Sequence, residues 1–363
     1  MKLDDVLKGS YQRYIAADFL STVFFDKRIP LVIDGIDAEN AEKVKAKFLD
    51  VYGEVEFTVE KDGEDKTICV SEIKGDEDVI IAPPVSLVDC KRFDFSDLEQ
   101  IMHRLRADDG CEWDRAQTHE SIRINLIEEA YELVDAIDQK DVAAMKEECG
   151  DVLMQAVFHA EIAQKEGEFS YMDVITGLCR KLIDRHTHIF GSNHANNADE
   201  ALVFWEAAKK KEKHYKSASD QMDRVPKNFP ALLYAEKIQK YARKVGFDWD
   251  DVSGAYQKIA EETEELKNAD DAHRIEEGGD LLFAVVNALR FYKVEPELAL
   301  REANKKFMRR FSAVESEVKA SGREMKDCTL DELDAIWNKV KEREKQENEV
   351  CKAGSNDKGD ACP

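Results

Sequence analysis

The sequence predicts a mainly α protein: two tandem all-α helical-bundle domains preceded by a small α/β segment. Three observations carry this. Apolar residues recur at helical spacing through most of the chain after Phe95, and strand-like runs are confined to about residues 28 to 90. The order of acidic, aromatic and basic motifs in the first helical stretch returns in a second. At 363 residues with 43% hydrophobic content, each part has material for a core. The expected division is residues 1–92 for the α/β segment, 93–222 and 223–348 for the helical domains, and 349–363 for a polar, disordered tail.

The strand-like runs are Pro30 to Ile33, Val55 to Val59, Thr67 to Ile73 and Val79 to Ala82, with one helical stretch from Ala38 to Asp50. Pro83-Pro84 ends the segment, because two residues without amide donors and with fixed φ stop regular structure. In the first helical domain Ile122, Leu126, Ala130, Leu133, Val134 and Ile137 share a helix face, with Thr118 as its N-cap. A turn near Asp138 to Asp141 leads to a second helix that carries Met145, Val152, Leu153, Ala156 and Val157 inward and stops before Gly167. A third helix holds Val174, Leu178, Leu182 and Ile183, and a fourth surrounds Trp205. After Val225 to Pro230 the order repeats, with Trp249-Asp250 answering Trp113-Asp114.

Charge and composition exclude several classes. A net charge of −24 repels phosphate backbones, so direct nucleic-acid binding is not expected, and a phosphorylated ligand must arrive with cations. No apolar run approaches the roughly 20 residues that cross a bilayer, and Met1 to Asp5 lacks a signal-peptide pattern. A cytoplasmic protein is expected. The eight cysteines form no C-x-x-C pair; Cys149 and Cys179 fall on apolar helix faces and read as reduced core thiols.

The chemistry lies in the repeated acids. Glu128-Glu129-Ala130-Tyr131-Glu132 is followed on the next helix by Glu148-Cys149-Gly150-Asp151. Residues three apart share a helix face, so Glu129, Glu132, Glu148 and Asp151 can meet across one helix pair. Glu262, Glu265, Glu277 and Asp280 repeat the arrangement. One such match is ordinary in a chain with 77 acidic residues; two, in the same order, are not. Clustered like charges at a partly apolar interface call for a divalent cation, and an all-oxygen ligand set favours Mg²⁺ or Mn²⁺ over zinc. Downstream stand Lys181 and Arg185, then Trp205 and Lys209; in the second copy Lys306 and Arg310, then Trp337 and Lys341, each pair at i, i+4. Cations neutralise phosphate oxygens and Trp offers a stacking face, so these are candidate contacts for a nucleotide polyphosphate. The other reading makes the two Trp core anchors and the cations salt-bridge partners. Arg185-His186-Thr187-His188 has no metal-ligand counterpart in the second copy and reads as packing or a phosphate contact.

Trp113-Asp114-Arg115-Ala116-Gln117-Thr118-His119-Glu120-Ser121 and Arg185 to Gly191 resemble the first domain of MazG proteins. Val245 to Trp249, Glu277-Gly278-Gly279-Asp280 and Ala303 to Phe311 resemble the second. The resemblance covers about Phe93 to Glu344, with Glu112 where the family loop carries Pro. It implies a dimeric helical enzyme that hydrolyses nucleoside triphosphates to monophosphate and pyrophosphate with Mg²⁺. The two sets of four acids become its metal ligands, and its second domain carries more of the activity. A nucleotide-sensing module without catalysis, or a pyrophosphatase narrow for one nucleotide, stands as the alternative. Residues before 90 resemble the end of a tetrapyrrole methylase-like domain without its Gly-rich loop, which implies an appended structural or docking element.

Overall fold

The computed structural model describes residues 3–22, 25–213 and 217–355. It groups them into two compact units, Met1–Ala195 and Asn196–Pro363. The helix carrying Trp205 therefore packs within the second unit, whereas the repeat places it at the end of the first copy.

Five strands form one mixed sheet in the first unit: β1 (Gln12–Ile15), β2 (Leu31–Asp34), β3 (Glu56–Lys61), β4 (Glu64–Cys69) and β5 (Val79–Ala82), in the order β1-β2-β5-β3-β4. β1 runs parallel to β2, and the other pairs are antiparallel. β1 is absent from the sequence reading because Gln12-Arg13 gives it no apolar run. The expected strand from Thr67 to Ile73 is shorter, since Val70–Glu72 winds into a 3-10 turn. Helix α1 (Ala41–Val51) covers one face, where Phe19, Leu31, Ile33, Phe48, Phe57 and Ile80 are buried together. Val6, Val32, Val79 and Ile81 form a smaller core of their own.

Four helices supply what matters in the rest of this unit's fold, α2 (Phe95–Leu105), α3 (His119–Gln139), α4 (Val142–Glu166) and α5 (Tyr171–Arg185), and a tie at Lys27 joins α2 to the sheet region. The buried Lys27 ammonium donates to the Arg92 carbonyl at 2.9 Å and pairs with Asp94 at 3.5 Å and with Asp97. Lys27→Ala leaves two acids at a buried position without their cation, and it should destabilise this unit by about 3 kcal/mol in urea unfolding. An unchanged midpoint would show the tie to be ornamental.

Thr118 accepts from the Ser121 amide to start α3, and Gly167 at φ +75° ends α4 in the left-handed region. Met102, Ile122, Val157, Phe158, Ala160 and Ile162 make the shared core. The apolar stripes are covered only in part. Leu126, Leu178, Leu182 and Ile183 are exposed, and so are Ala156, Cys149 and Cys179. The expectation of core thiols is corrected: both cysteines are free, but no described element covers the helix faces they occupy.

The second unit contains α6 (Ala198–Lys213), α7 (Ala231–Arg243), α8 (Val252–Asn268), α9 (Arg274–Phe291), α10 (Pro296–Ala320) and α11 (Leu330–Ser355). α11 passes Glu349, where the tail was expected to begin; residues 356–363 lie outside the described residues. α10 and α11 pack through Val314, Val318 and Val340, with Trp337 against the same cluster.

Candidate metal and substrate site

The antiparallel pair α3 and α4 brings Glu129, Glu148 and Asp151 together, with one carboxylate oxygen from each within 4.8 Å of the others. The pair α8 and α9 does the same for Glu262, Glu277 and Asp280. In both, the spacing read from sequence places one acid of the first helix opposite an i, i+3 pair on the second. Glu132 and Glu265 stand one helical step away from these triads. Glu132 acts on Glu129 and Glu148 electrostatically, and Glu265 groups with Glu261 and Glu262.

The donor set fits a hard divalent cation. The Glu148 Oε2 atom is buried and lacks a hydrogen-bond partner among the described residues, and so is the corresponding atom of Glu262. Partial burial and then the neighbouring acids push Glu129 and Glu148 above the ordinary glutamate range. A carboxyl raised in the folded state stabilises the fold below its unfolded pKa and loses that contribution as pH climbs through the raised value. The melting temperature of metal-free protein should accordingly fall as pH rises from the ordinary glutamate pKa, about 4.3, toward neutrality. Saturating Mg²⁺ should reduce the fall, because a cation relieves the repulsion that protons relieved. Parallel pH profiles with and without Mg²⁺ would contradict this.

The second triad holds a cation of its own. Lys258, one turn before Glu262, donates to Glu261 at 2.8 Å and pairs with Glu262. That pairing pulls Glu262 below the ordinary range, while the side-chain hydrogen bond with Glu262 and then desolvation push Glu265 up. At the matching position of the first copy, four residues before Glu129, stands Asn125. The sequence reading missed Lys258 because a lysine one turn from a glutamate is common on any solvated helix.

A cavity of about 570 Å³ opens beside this triad, lined by Lys258, Glu262 and Asp280 and by the apolar side chains Ile238, Phe247, Trp249 and Phe283. Trp249 lies against Gly254, where an added Cβ would stand 2.3 Å from the indole, so only glycine lets the ring rest on the first turn of α8. Arg290 holds the adjoining loop through two bonds to Asp248, at 2.9 and 2.5 Å, and donates to Asn287 Oδ1 at 2.6 Å.

The remaining candidates are placed as follows. Lys306, Arg310, Trp337 and Lys341 belong to α10 and α11 and are not among the residues lining this cavity. Arg310 donates to Glu344 at 2.7 Å and lies 5.9 Å from the Trp337 ring, which contacts Phe307 at 5.5 Å. Lys181 is exposed on α5 and Arg185 is buried at its end. Trp205 and Lys209 line a separate cavity of the second unit with Tyr241 and Lys244, the Lys209 ammonium 5.0 Å from the indole centre. His186 Nδ1 lies 2.7 Å from the Leu182 carbonyl.

Paired helices present two carboxylate triads whose donors suit a hard divalent cation, one of them beside a cavity walled by aromatic and apolar groups. Comparison with known proteins narrows this. The profile of the MazG nucleotide pyrophosphohydrolase domain matches residues 117–190. A Thermotoga maritima protein described as nucleoside triphosphate pyrophosphohydrolase/pyrophosphatase MazG is 47% identical over 248 residues, 68% of this chain and 95% of that protein. A nucleoside triphosphate pyrophosphohydrolase of Escherichia coli is 41% identical over 251 residues, 67% of this chain and 95% of its own length. An uncharacterised Bacillus subtilis protein, YabN, is 44% identical over 272 residues, 74% of this chain and 55% of that protein. The chain belongs to the MazG family of nucleotide pyrophosphohydrolases.

Proposed function

We propose that the protein is a Mg²⁺-dependent nucleoside triphosphate pyrophosphohydrolase, which cleaves NTPs and dNTPs to monophosphate and pyrophosphate in housekeeping of the nucleotide pool. The observation that carries it is the carboxylate triad Glu262, Glu277 and Asp280 beside a cavity that suits a small aromatic group. Mg²⁺, with Mn²⁺ as substitute, would be held by these acids and by Glu129, Glu148 and Asp151, with Glu132 and Glu265 adjoining. When bound it supplies an activated water and charge neutralisation on the leaving pyrophosphate. The chain's own contribution is position and charge. The acids orient the attacking water toward the α-phosphorus, Lys258 lies close enough to the triad to meet a phosphate oxygen, and the apolar walls exclude bulk water. Glu128 and Glu261, both exposed, are the acids left to take a proton.

Product analysis is the test. Initial products of NMP and pyrophosphate support the mechanism, and NDP with orthophosphate would end it. Binding of nucleotide with no turnover under Mg²⁺ would favour a sensor.

The functional form is a homodimer in the cytoplasm. Among the described residues no helix is long and apolar enough to cross a membrane. Ile124, Ile127, Tyr131, Leu178 and Leu182 in the first unit remain exposed, as do Leu282, Phe307, Met308 and Phe311 in the second. So much uncovered apolar surface fits a second copy better than solvent. Light scattering should give twice the 41.4 kDa chain mass. A monomer at micromolar concentration would refute the dimer and leave the chemistry standing.

A further inference from the structure

We propose that Gln239 reads the nucleobase: its Oε1 accepts a hydrogen bond from an N–H on the base edge, so the cavity takes bases that carry such a donor and rejects bases that lack one. This rests on the hydrolysis reading above and specifies the substrate class of that site.

Gln239, on α7, is only 6% exposed and lines the cavity that Glu262 and Asp280 also line. Its Nε2 donates to the Phe283 carbonyl at 2.8 Å, which fixes the orientation of the amide. The Oε1 atom is then left buried with no hydrogen-bond partner among the described residues. An amide oxygen out of water and without a donor is costly, and a ligand that brings an N–H removes the cost. The cavity volume, about 570 Å³, lies within the range of small-molecule sites and its apolar walls suit a planar ring. On the facing helix the Asn287 Oδ1 is already occupied by Arg290, which leaves its amide N–H groups as the donor end of the same wall.

The first copy provides an internal contrast. Asn287 stands seven residues after Asp280 on α9; seven residues after Asp151 on α4 is Phe158, buried in the core with the Arg106 guanidinium 5.2 Å from its ring. A hydrocarbon ring takes the place of the amide. The repeat preserves the acids and not this position, so the amide that forms the donor end of the wall is found at this position in the second copy alone.

Adenine, guanine, cytosine and uracil or thymine all carry an N–H at the edge used for pairing. The same acceptor therefore admits all four, which makes the enzyme broad across ordinary nucleotides and selective against bases without a donor. Purine riboside 5′-triphosphate is such a nucleotide, with ring nitrogens that only accept.

Steady-state hydrolysis by the full chain with Mg²⁺ compares ATP with this analogue. For the wild-type chain the analogue's KM should exceed that of ATP by at least about tenfold, with kcat altered less than about threefold. In Gln239→Met and Gln239→Leu the KM ratio should fall to within about twofold, with circular dichroism and the Mg²⁺-dependent melting shift retained. Equal KM values in the wild type, or undiminished discrimination in folded variants, would overturn the assignment. If both variants misfold, the wild-type comparison decides it alone. If the wild type hydrolyses neither nucleotide, the hydrolysis reading fails, and calorimetric titration with AMP and purine riboside 5′-monophosphate then decides Gln239: a matching preference for AMP upholds it, equal affinities reject it.

Discussion

Glu262→Gln combined with Asp280→Asn will remove pyrophosphohydrolase activity by on the order of 10²-fold or more while the chain stays folded. The two changes withdraw two of the three anionic oxygens that lie within 4.8 Å of one another between α8 and α9. Amides keep side-chain size and can still occupy helix interiors, so neither helix is expected to melt. Lys258 does not become an orphan cation, since Glu261 remains at 2.8 Å. Loss of mutual repulsion among the acids offsets what the lost ion pair contributed. The matching pair, Glu129→Gln with Asp151→Asn, measures the first copy separately; family resemblance puts its effect below that of the second. Wild-type rates in both doubly substituted proteins, with unchanged circular dichroism, would reduce these acids to surface charge.

Chelation should have a comparable effect without any mutation. With excess EDTA, hydrolysis should fall to the uncatalysed background, and Mg²⁺ or Mn²⁺ in excess should restore it, because carboxylates alone neither activate water nor neutralise a leaving pyrophosphate. Zinc should serve poorly, since neither triad contains His or Cys. The melting temperature should drop with the metal's removal and recover with its return. Undiminished turnover in EDTA-treated protein shown by elemental analysis to be metal-free would eliminate metal-assisted chemistry.

Both carboxylate triads were legible in the sequence, because helical geometry alone puts an i, i+3 pair on one face and the repeat excluded coincidence. The exact membership was not. Glu132 and Glu265 share their helices' faces with Glu129 and Glu262, yet which acid of each pair reaches across depends on where the two helices cross, and no local spacing encodes that. Gln239 was invisible for a related reason: a glutamine in Lys237-Ile238-Gln239-Lys240 reads as solvated surface until α9 is packed against it. The Asp248 to Arg290 pair joins residues 42 apart and gives no local signal. Helix faces were identified correctly as apolar, but apolar did not mean covered. Leu178 and Leu182 hold the right period and still face outward.

The Lys258 pairing with Glu261 and Glu262 bears on how the protein behaves when magnesium is scarce. A site whose acids are partly balanced from within can be synthesised, folded and stored empty at little cost, and it gives up an ion pair when metal and substrate arrive. The first copy, with Asn125 at that position, has no such reserve there, so its helix pair depends more directly on the ion. Falling magnesium should therefore loosen α3 and α4 before α8 and α9, which hydrogen exchange would register as an earlier loss of protection in the first pair. On the proposed reading, one helix pair would need the ion and the other would tolerate its loss.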